Sequence, residues 1–357
     1  MNTTKTRVGN GQLVEGTRTV SPDLPAFKAE QVVQCDQRRE KRTLTIREHK
    51  VTNDNELDSL LTPDLRAIPL DGYQRAIPAL AKRPGFTSEL RGLIRHFETD
   101  HQVILGDARE VQLPPSSVHL IVTSPPYWTL KEYPECEGQM GQIGEYSAFL
   151  ASLNGVWESC YEALVPGGRM VCVVGDVCLS RRQNGGRHMV MPLHASIQTQ
   201  CCEVGFDNLA PIIWHKISNL RTEANRSVSY LGKPFEPNGV IKNDIEFVLM
   251  LRKPGGYRSP SAAARLLSVI SADEHKRWFR QIWDDIRGAS TRDHPAPFPV
   301  ELAERLIRMF SFVGDTVFDP FTGSASTQVA AQRSGRHSIG IEIEPTYHAK
   351  ATERLAK

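Results

Sequence analysis

The amino-acid sequence predicts an α/β protein built around a mostly parallel β-sheet. From Val103 onward, short β-branched segments alternate with segments of helical spacing. Val118–Val122 is typical of a buried strand, and two prolines after Ser124 must end it because proline cannot donate to a sheet ladder. Val317–Ser326 indicates a strand, a glycine-containing turn and a helix. Open parallel sheets bind ligands at strand ends of this kind.

The elements can be assigned in chain order. Residues 1–56 are polar and predict a loosely attached arm, whereas residues 57–100 contain short helical patterns broken by prolines. The predicted strands are Val103–Leu105, Val118–Val122, Met170–Val174, Leu209–Trp214, Ile245–Leu251, Thr316–Phe318 and Ser338–Ile343. The predicted helices are Phe149–Leu164, Met191–Cys202, Val300–Phe310, Ser326–Arg333 and Tyr347–Leu355. We expect Arg252–Arg287 to be irregular and basic, so residues 101–357 form the main domain.

Composition excludes several classes of protein. The 357 residues are 40% hydrophobic and 24% charged, which is ordinary for a globular protein, and the net charge is only +2. No stretch is long enough to span a membrane, and the amino terminus lacks the apolar core of a secretory signal. The seven cysteines are odd in number and form no Cys-x-x-Cys pair, which argues against a zinc site and a disulfide framework. We expect no metal. We therefore expect a cytoplasmic protein.

Ser124–Tyr127, with the sequence Ser-Pro-Pro-Tyr, is the first segment that indicates chemistry. The rigid prolines hold a hydroxyl, a carbonyl and an aromatic ring at the end of a strand. This combination suits a flat base that carries an exocyclic amino group.

Asp319–Ser326 is the second such segment, because its turn allows a ligand to approach backbone amides and a helix amino terminus. The Gly-x-Gly-x-x-Gly pattern of dinucleotide-binding proteins and the phosphate-binding loop are both absent from the sequence. An acid at the end of the next strand commonly binds the ribose hydroxyls of an adenosine-containing cofactor. Glu342 is the stronger candidate for that role, and Glu344 is the alternative.

Together these motifs resemble the DNA amino-methyltransferases that use S-adenosylmethionine to modify N4 of cytosine or N6 of adenine. Ser124–Tyr127 is similar to their catalytic motif, Asp319–Gly323 to their cofactor motif, and His294–Pro299 to the segment before their first cofactor-side helix. The catalytic motif comes first, as in the permuted β group of the family. The resemblance covers about Val103 to the end of the chain. It implies a three-layer, Rossmann-like class I methyltransferase fold with a seven-stranded sheet and a small target-recognition insert at residues 252–292.

The resemblance also implies roles for individual residues. Ser124 and the carbonyl of Pro125 would accept hydrogen bonds from the target amine, and Tyr127 would stack on an extruded base. Pro126 completes the predicted catalytic set. The implied S-adenosyl-L-methionine site comprises Asp107, Thr123, His294, Pro295, Phe298, Asp319, Pro320, Phe321, Gly323, Ser324 and Glu342.

One position departs from the family pattern, because Ala325 stands where a second glycine is common. Alanine should be tolerated there unless the backbone needs a positive φ.

Double-stranded DNA is the expected partner, and a cognate restriction endonuclease is possible. The predicted phosphate contacts are Arg221, Arg226, Arg258, Lys276, Arg277 and Arg280. Arg187, His188 and His194 are interpreted instead as capping or packing residues beside a helix start.

Several alternatives stay open at this point. Serine at the head of the motif favours cytosine N4 in this family, with adenine N6 as the alternative. The absence of a Pro-Cys pair from the sequence argues against methylation of cytosine C5. An inactive DNA-binding regulator and an RNA or protein methyltransferase are less favoured, and the protein could be a monomer or a homodimer.

Overall fold

The amino-terminal part of the structure is helical. The structure is a computed structural model that describes residues 52–68, 73–130, 134–182, 184–216, 243–289 and 298–357. The first four helices are α1 (Asp54–Leu60), α2 (Pro63–Arg66), α3 (Tyr73–Ala81) and α4 (Phe86–Ile94). Side-chain oxygens of Asn53 and Thr62 accept backbone N–H groups at the starts of α1 and α2, as polar N-cap residues commonly do.

Eight strands of the described residues form one sheet. The strands in chain order are β1 (His101–Leu105), β2 (Val118–Thr123), β3 (Leu164–Val174), β4 (Val177–Leu179), β5 (Met189–Met191), β6 (Asp207–His215), β7 (Ile245–Arg252), β8 (Ile282–Trp283), β9 (Thr316–Asp319) and β10 (His337–Glu342). The sheet order is β1-β10-β9-β2-β3-β7-β6-β8, and β4 pairs with β5 in a separate hairpin.

The sheet is parallel except at β7, which is antiparallel to both β3 and β6. This confirms the predicted fold class. The predicted number of seven strands was wrong by one, because two-residue β8 joins the edge beside β6. A strand of two residues is too short to show a periodic pattern in sequence.

Helices cover both faces of the sheet and produce the predicted three layers. The remaining α-helices are α5 (Tyr146–Ala163), α6 (Leu193–Val204), α7 (Ala262–Leu267), α8 (Ala272–Trp278), α9 (Val300–Phe310), α10 (Ser326–Arg333) and α11 (Pro345–Leu355). Successive residues of β2 point to opposite faces. Ile121 packs in a core with α5 and α6, whereas Leu120 and Val122 pack in a second core with α9 and α10. Such strands appear in sequence as continuous apolar runs because both faces are buried.

Two local predictions need correction. Arg252–Arg287 is not irregular throughout, since it contains α7, α8 and β8. Ser261 and Ser271 accept backbone N–H groups at the starts of these helices, and capping signals of this kind were available in the sequence. The strand predicted at Met170–Val174 begins earlier, at Leu164, because Gly167 and Gly168 exchange backbone hydrogen bonds with Lys253.

A third apolar cluster joins α1, α2 and α4 to α7 and Val313. Leu90 of α4 is 1% exposed within it. Within the described residues, no helix combines the length and apolar character needed to cross a membrane.

We predict that Leu90→Ala lowers the free energy of unfolding by about 2–5 kcal/mol, because it leaves a cavity among packed helices. Ile282→Ala is the matched control, since Ile282 is 56% exposed and its truncation should cost less than about 1 kcal/mol. Chemical denaturation of both variants measures the difference. A loss below about 1 kcal/mol for Leu90→Ala would mean that this packing adds little stability to the domain.

Candidate active site

The site lies where the carboxyl ends of β1, β10, β9 and β2 meet. The chain leaves β9 toward β10 and leaves β2 toward β3, on the opposite side, so the two strands form the switch point of the sheet. A cleft there has an empty volume of about 780 Å³, including space open to solvent. The predicted residues that line it are Asp107, Ser124, Pro126, Phe298, Pro320, Phe321, Gly323, Ser324 and Glu342. Residues from both motifs therefore face one cavity.

Asp319 connects the two motifs from inside the protein. Its carboxylate is fully buried and accepts hydrogen bonds from the hydroxyls of Thr123 at 2.7 Å and Thr327 at 2.8 Å. It also accepts the backbone N–H of Phe321 at 3.0 Å. Asp319 and Thr123 do not line the cleft, so the geometry makes them positioning residues. Burial raises the pKa of Asp319 to about 6, and these hydrogen bonds oppose that rise.

The turn after Asp319 uses two residues with left-handed backbone. Gly323 has φ +53° and Ala325 has φ +62°. Position 325 therefore does need a positive φ, which costs an alanine about 1 kcal/mol relative to an unstrained residue. The hydrogen bond from the Ala325 N–H to the carbonyl of Thr322, at 2.9 Å, holds this conformation at the start of α10.

Glu342 lies at the end of β10 and is 8% exposed. One carboxylate oxygen accepts the N–H of Gly323 at 2.8 Å, and the other accepts the N–H of Glu344 at 2.9 Å. Burial raises the pKa of Glu342, although these backbone hydrogen bonds oppose the rise. Glu344 accepts the N–H of Tyr347 and caps α11, so the alternative acid has a helix-capping contact.

Asp107 lies just beyond β1 and also lines the cleft. Its carboxylate is paired with Arg109, whose guanidinium donates a second hydrogen bond to the carbonyl of Gly138 at 3.0 Å. Gly138 has φ +86°, and a Cβ there would lie 2.7 Å from an oxygen of Asp107. Gly138, Gln139 and Met140 form a cleft wall that the sequence analysis missed, because no recognisable motif marks these residues.

Ser124 and Tyr127 are joined by their hydroxyl groups, which are 3.2 Å apart. The single proton of the Tyr127 hydroxyl is donated to the carbonyl of Val173 at 3.3 Å. Ser124 is therefore the donor in the shared hydrogen bond, and its oxygen keeps its lone pairs for an incoming donor. Pro125 is buried outside the cleft, and Tyr127 is only 6% exposed.

A partly buried ion pair near Tyr127 also escaped the sequence analysis. Glu246 of β7 is 6% exposed and is paired with Lys216, which follows β6. A Cβ at Gly175 would lie 3.3 Å from Glu246 and 3.4 Å from the Tyr127 ring, so both groups border Gly175. The two partners are thirty positions apart in sequence, and neither lies in a recognisable motif.

Comparison with known proteins identifies the family. A family model for DNA methylases, covering the N6 and N4 methyltransferases, matches residues 118–353. The chain belongs to the DNA methylase family. This confirms the resemblance to the DNA amino-methyltransferases that the motifs predict.

Three similar proteins illustrate the range of the match. The Type II methyltransferase M.MjaI of Methanocaldococcus jannaschii is 35% identical, over 72% of this chain and 91% of its own length. The structure of a putative DNA modification methylase from Thermus thermophilus, complexed with S-adenosyl-L-methionine, is 51% identical with a TM-score of 0.60, over 72% of this chain and 93% of that one. The cytosine-N4-specific PvuII DNA methyltransferase shares the fold. It is 22% identical with a TM-score of 0.52, and the match covers 72% of this chain and 87% of that one.

The structure does not bring the predicted DNA contacts of this methylase together. Arg258 pairs with Asp315, immediately before β9, which places it at the opposite edge of the sheet from the cleft. Lys276 and Arg277 are exposed on α8, and Arg280 is exposed just after it. Glu274 of α8 pairs with Arg308 near the carboxyl end of α9, which also lies toward the amino edge of the sheet. None of these four predicted cations lines the cleft.

Four further predicted residues of the methylase, Arg221, Arg226, His294 and Pro295, lie outside the described residues.

We predict that the methylase, without cofactor, becomes less stable relative to Asp319→Asn as the pH rises. Because the pKa of Asp319 is raised in the folded chain, protonation of this carboxyl stabilises the fold. That stabilisation is complete below about pH 4 and is lost as the pH rises through about 6. The difference in free energy of unfolding should change by roughly 3 kcal/mol between these limits. Urea denaturation of both proteins across this range measures it, and a difference independent of pH would contradict the assigned pKa.

Proposed function

We propose that this DNA methylase transfers a methyl group from S-adenosyl-L-methionine to the exocyclic N4 of cytosine at specific sites in DNA. The observation that carries the proposal is that Ser124 lines the same cleft as Gly323 and Glu342. The residues suited to hold an amine and those suited to hold the methyl donor therefore share one cavity. The Type II methyltransferases among its relatives support a role in a restriction–modification pair.

The cleft has suitable groups for the donor. Glu342 would accept the ribose hydroxyls, Asp107 would accept the adenine amine, and Phe298, Pro320 and Phe321 give it apolar walls. Gly138 keeps the space beside Asp107 clear, since a side chain there would meet that carboxylate. When bound, S-adenosyl-L-methionine supplies a methyl group that its sulfonium already activates.

Ser124 would orient the amine, because it lines the cleft whereas Pro125 does not. The Ser124 hydroxyl donates its proton to Tyr127, so its oxygen can accept a hydrogen bond from the amine. This hydrogen bond would draw the amine nitrogen toward a nucleophilic, tetrahedral shape. The chain's contribution is mainly positioning, so a strong general base is unnecessary and the amine proton can leave late, to solvent.

The target base has to leave the duplex to reach Ser124, which is only partly exposed at the floor of the cleft. Serine rather than aspartate or asparagine at the head of the motif supports cytosine over adenine. Adenine N6 is the second candidate, because the matching family model covers N6 and N4 methyltransferases alike.

Mass spectrometry of nucleosides from unmethylated phage DNA, incubated with the protein and S-adenosyl-L-methionine, tests the proposal. We expect N4-methylcytosine. N6-methyladenine would replace the cytosine assignment with the alternative. The absence of both, together with transfer to RNA or protein in parallel reactions, would overturn the proposed substrate.

We predict that Tyr127→Phe lowers kcat about tenfold, equivalent to about 1.4 kcal/mol, because Ser124 loses the acceptor that orients its proton. Ser124→Ala should lower kcat further, and both variants should bind S-adenosyl-L-methionine about as tightly as wild type. Tyr161→Phe is the matched control, since its ring packs on Phe206 away from the cleft. Single-turnover kinetics and calorimetric titration separate the two effects. A loss of cofactor affinity with normal turnover of the bound complex would show that this hydroxyl pair has the wrong role.

A further inference from the structure

The hairpin of β4 and β5 carries an unusual run of charge. We name residues 177–182 and 184–191 the basic hairpin. Between Asp176 and Glu203 the sequence contains no acidic residue, although the chain has 41 acidic residues among 357. Arg181, Arg182 and Arg187 lie in this interval and are exposed. The local charge is therefore strongly positive in a chain that is nearly neutral as a whole.

The base of the basic hairpin lies beside the candidate active site. It follows β3, whose Val173 carbonyl accepts the Tyr127 hydroxyl. Asp176, between β3 and β4, lies 2.6 Å from the ring of His194 at the start of α6 and accepts the backbone N–H of that residue. Val177, the first residue of β4, is 1% exposed. These contacts fix the hairpin at the edge of the sheet where the cleft opens.

The tip of the basic hairpin is held in a defined conformation. The N–H of Gly186 donates to the carbonyl of Arg181 at 2.8 Å, and the N–H of Arg187 donates to the carbonyl of Asn184 at 2.9 Å. The side-chain amide of Asn184 donates back to the carbonyl of Arg187 at 3.2 Å. Three-residue strands rise by about 10 Å in all, so the tip lies roughly that distance from the base of the hairpin.

Two arginines of the basic hairpin, Arg182 and Arg187, differ from several other arginines of the domain. Arg252 is paired with Asp207, Arg258 with Asp315 and Arg305 with Asp285. Within the described part of the chain, by contrast, no carboxylate pairs with Arg182 or Arg187. An unpaired, exposed guanidinium beside a site for an extruded base is well suited to bind a phosphate.

We propose that the basic hairpin binds DNA phosphates that flank the extruded base, through Arg182 and Arg187. The inference rests on the proposed DNA substrate and identifies the surface that holds it. It also corrects the interpretation of Arg187 and His188 as capping or packing residues, because both are exposed on the hairpin. Met189 and Val190, 37% and 46% exposed on the returning strand, add an apolar surface that can lie against deoxyribose.

The test compares the full-length wild type with the double variant Arg182→Gln/Arg187→Gln. The probe is a labelled DNA duplex of arbitrary sequence, titrated without cofactor over a range of salt concentrations. Because each phosphate contact contributes about 0.9 to the slope of log affinity against log salt, the double variant should lose roughly two from that slope. Arg182→Lys/Arg187→Lys, which keeps the charge, should keep the slope.

Arg95→Gln is the matched control, since Arg95 is exposed at the end of α4, next to Ile94 in the amino-terminal helical cluster. It should leave the slope unchanged. Thermal unfolding and S-adenosyl-L-methionine binding of all variants should match wild type, which shows that the exposed substitutions leave the fold intact. A double variant with the wild-type slope, in a protein that methylates DNA, would overturn this inference alone. A wild type that neither binds the duplex nor methylates DNA would overturn the proposed function as well.

Discussion

The hydrogen bonds around the buried carboxylate of Asp319 are the contact on which the site depends. They attach the end of β9 to Thr123 at the end of β2 and to Thr327 in α10. A buried carboxylate without such partners would be very costly, so the three groups must fold together. Because Ser124 follows Thr123 directly, the same contact sets the distance between the Ser124 hydroxyl and the glycine turn. Asp319 thus holds both motifs in place without facing the cleft.

The position of the cleft depends on the order of strands in the sheet rather than on the order of motifs along the chain. The catalytic motif precedes the cofactor motif in sequence, but β2 and β9 are neighbours at the centre of the sheet. Their connections leave in opposite directions, which opens a crevice at their carboxyl ends whichever strand comes first. A permuted chain can therefore build the same site, provided that both strands end in the required residues.

The sequence predicted the regular elements well where periodicity was long. The helices Val300–Phe310 and Ser326–Arg333 have the predicted bounds, and the strand before Ser124 ends one residue beyond its predicted end. Contacts between distant residues were not accessible in this way. The pairing of Glu246 with Lys216 and the position of Gly138 depend on tertiary structure, and neither has a local pattern. The predicted DNA contacts were chosen because these cations are close together in sequence. In the folded chain Arg258 lies at the far end of β9 from the cleft, where it pairs with Asp315.

The central strand pair has a consequence for biosynthesis. Thr123 and Asp319 are 196 positions apart, so β2 leaves the ribosome long before its neighbour exists. At about 5–20 residues per second, the delay is roughly 10–40 s. During that time β2, whose residues are almost all buried in the finished fold, lacks one side of its sheet and is open to mispairing. A nascent chain therefore needs protection for this interval, and an interrupted translation product that ends before β9 lacks the glycine turn and Glu342 of the cleft.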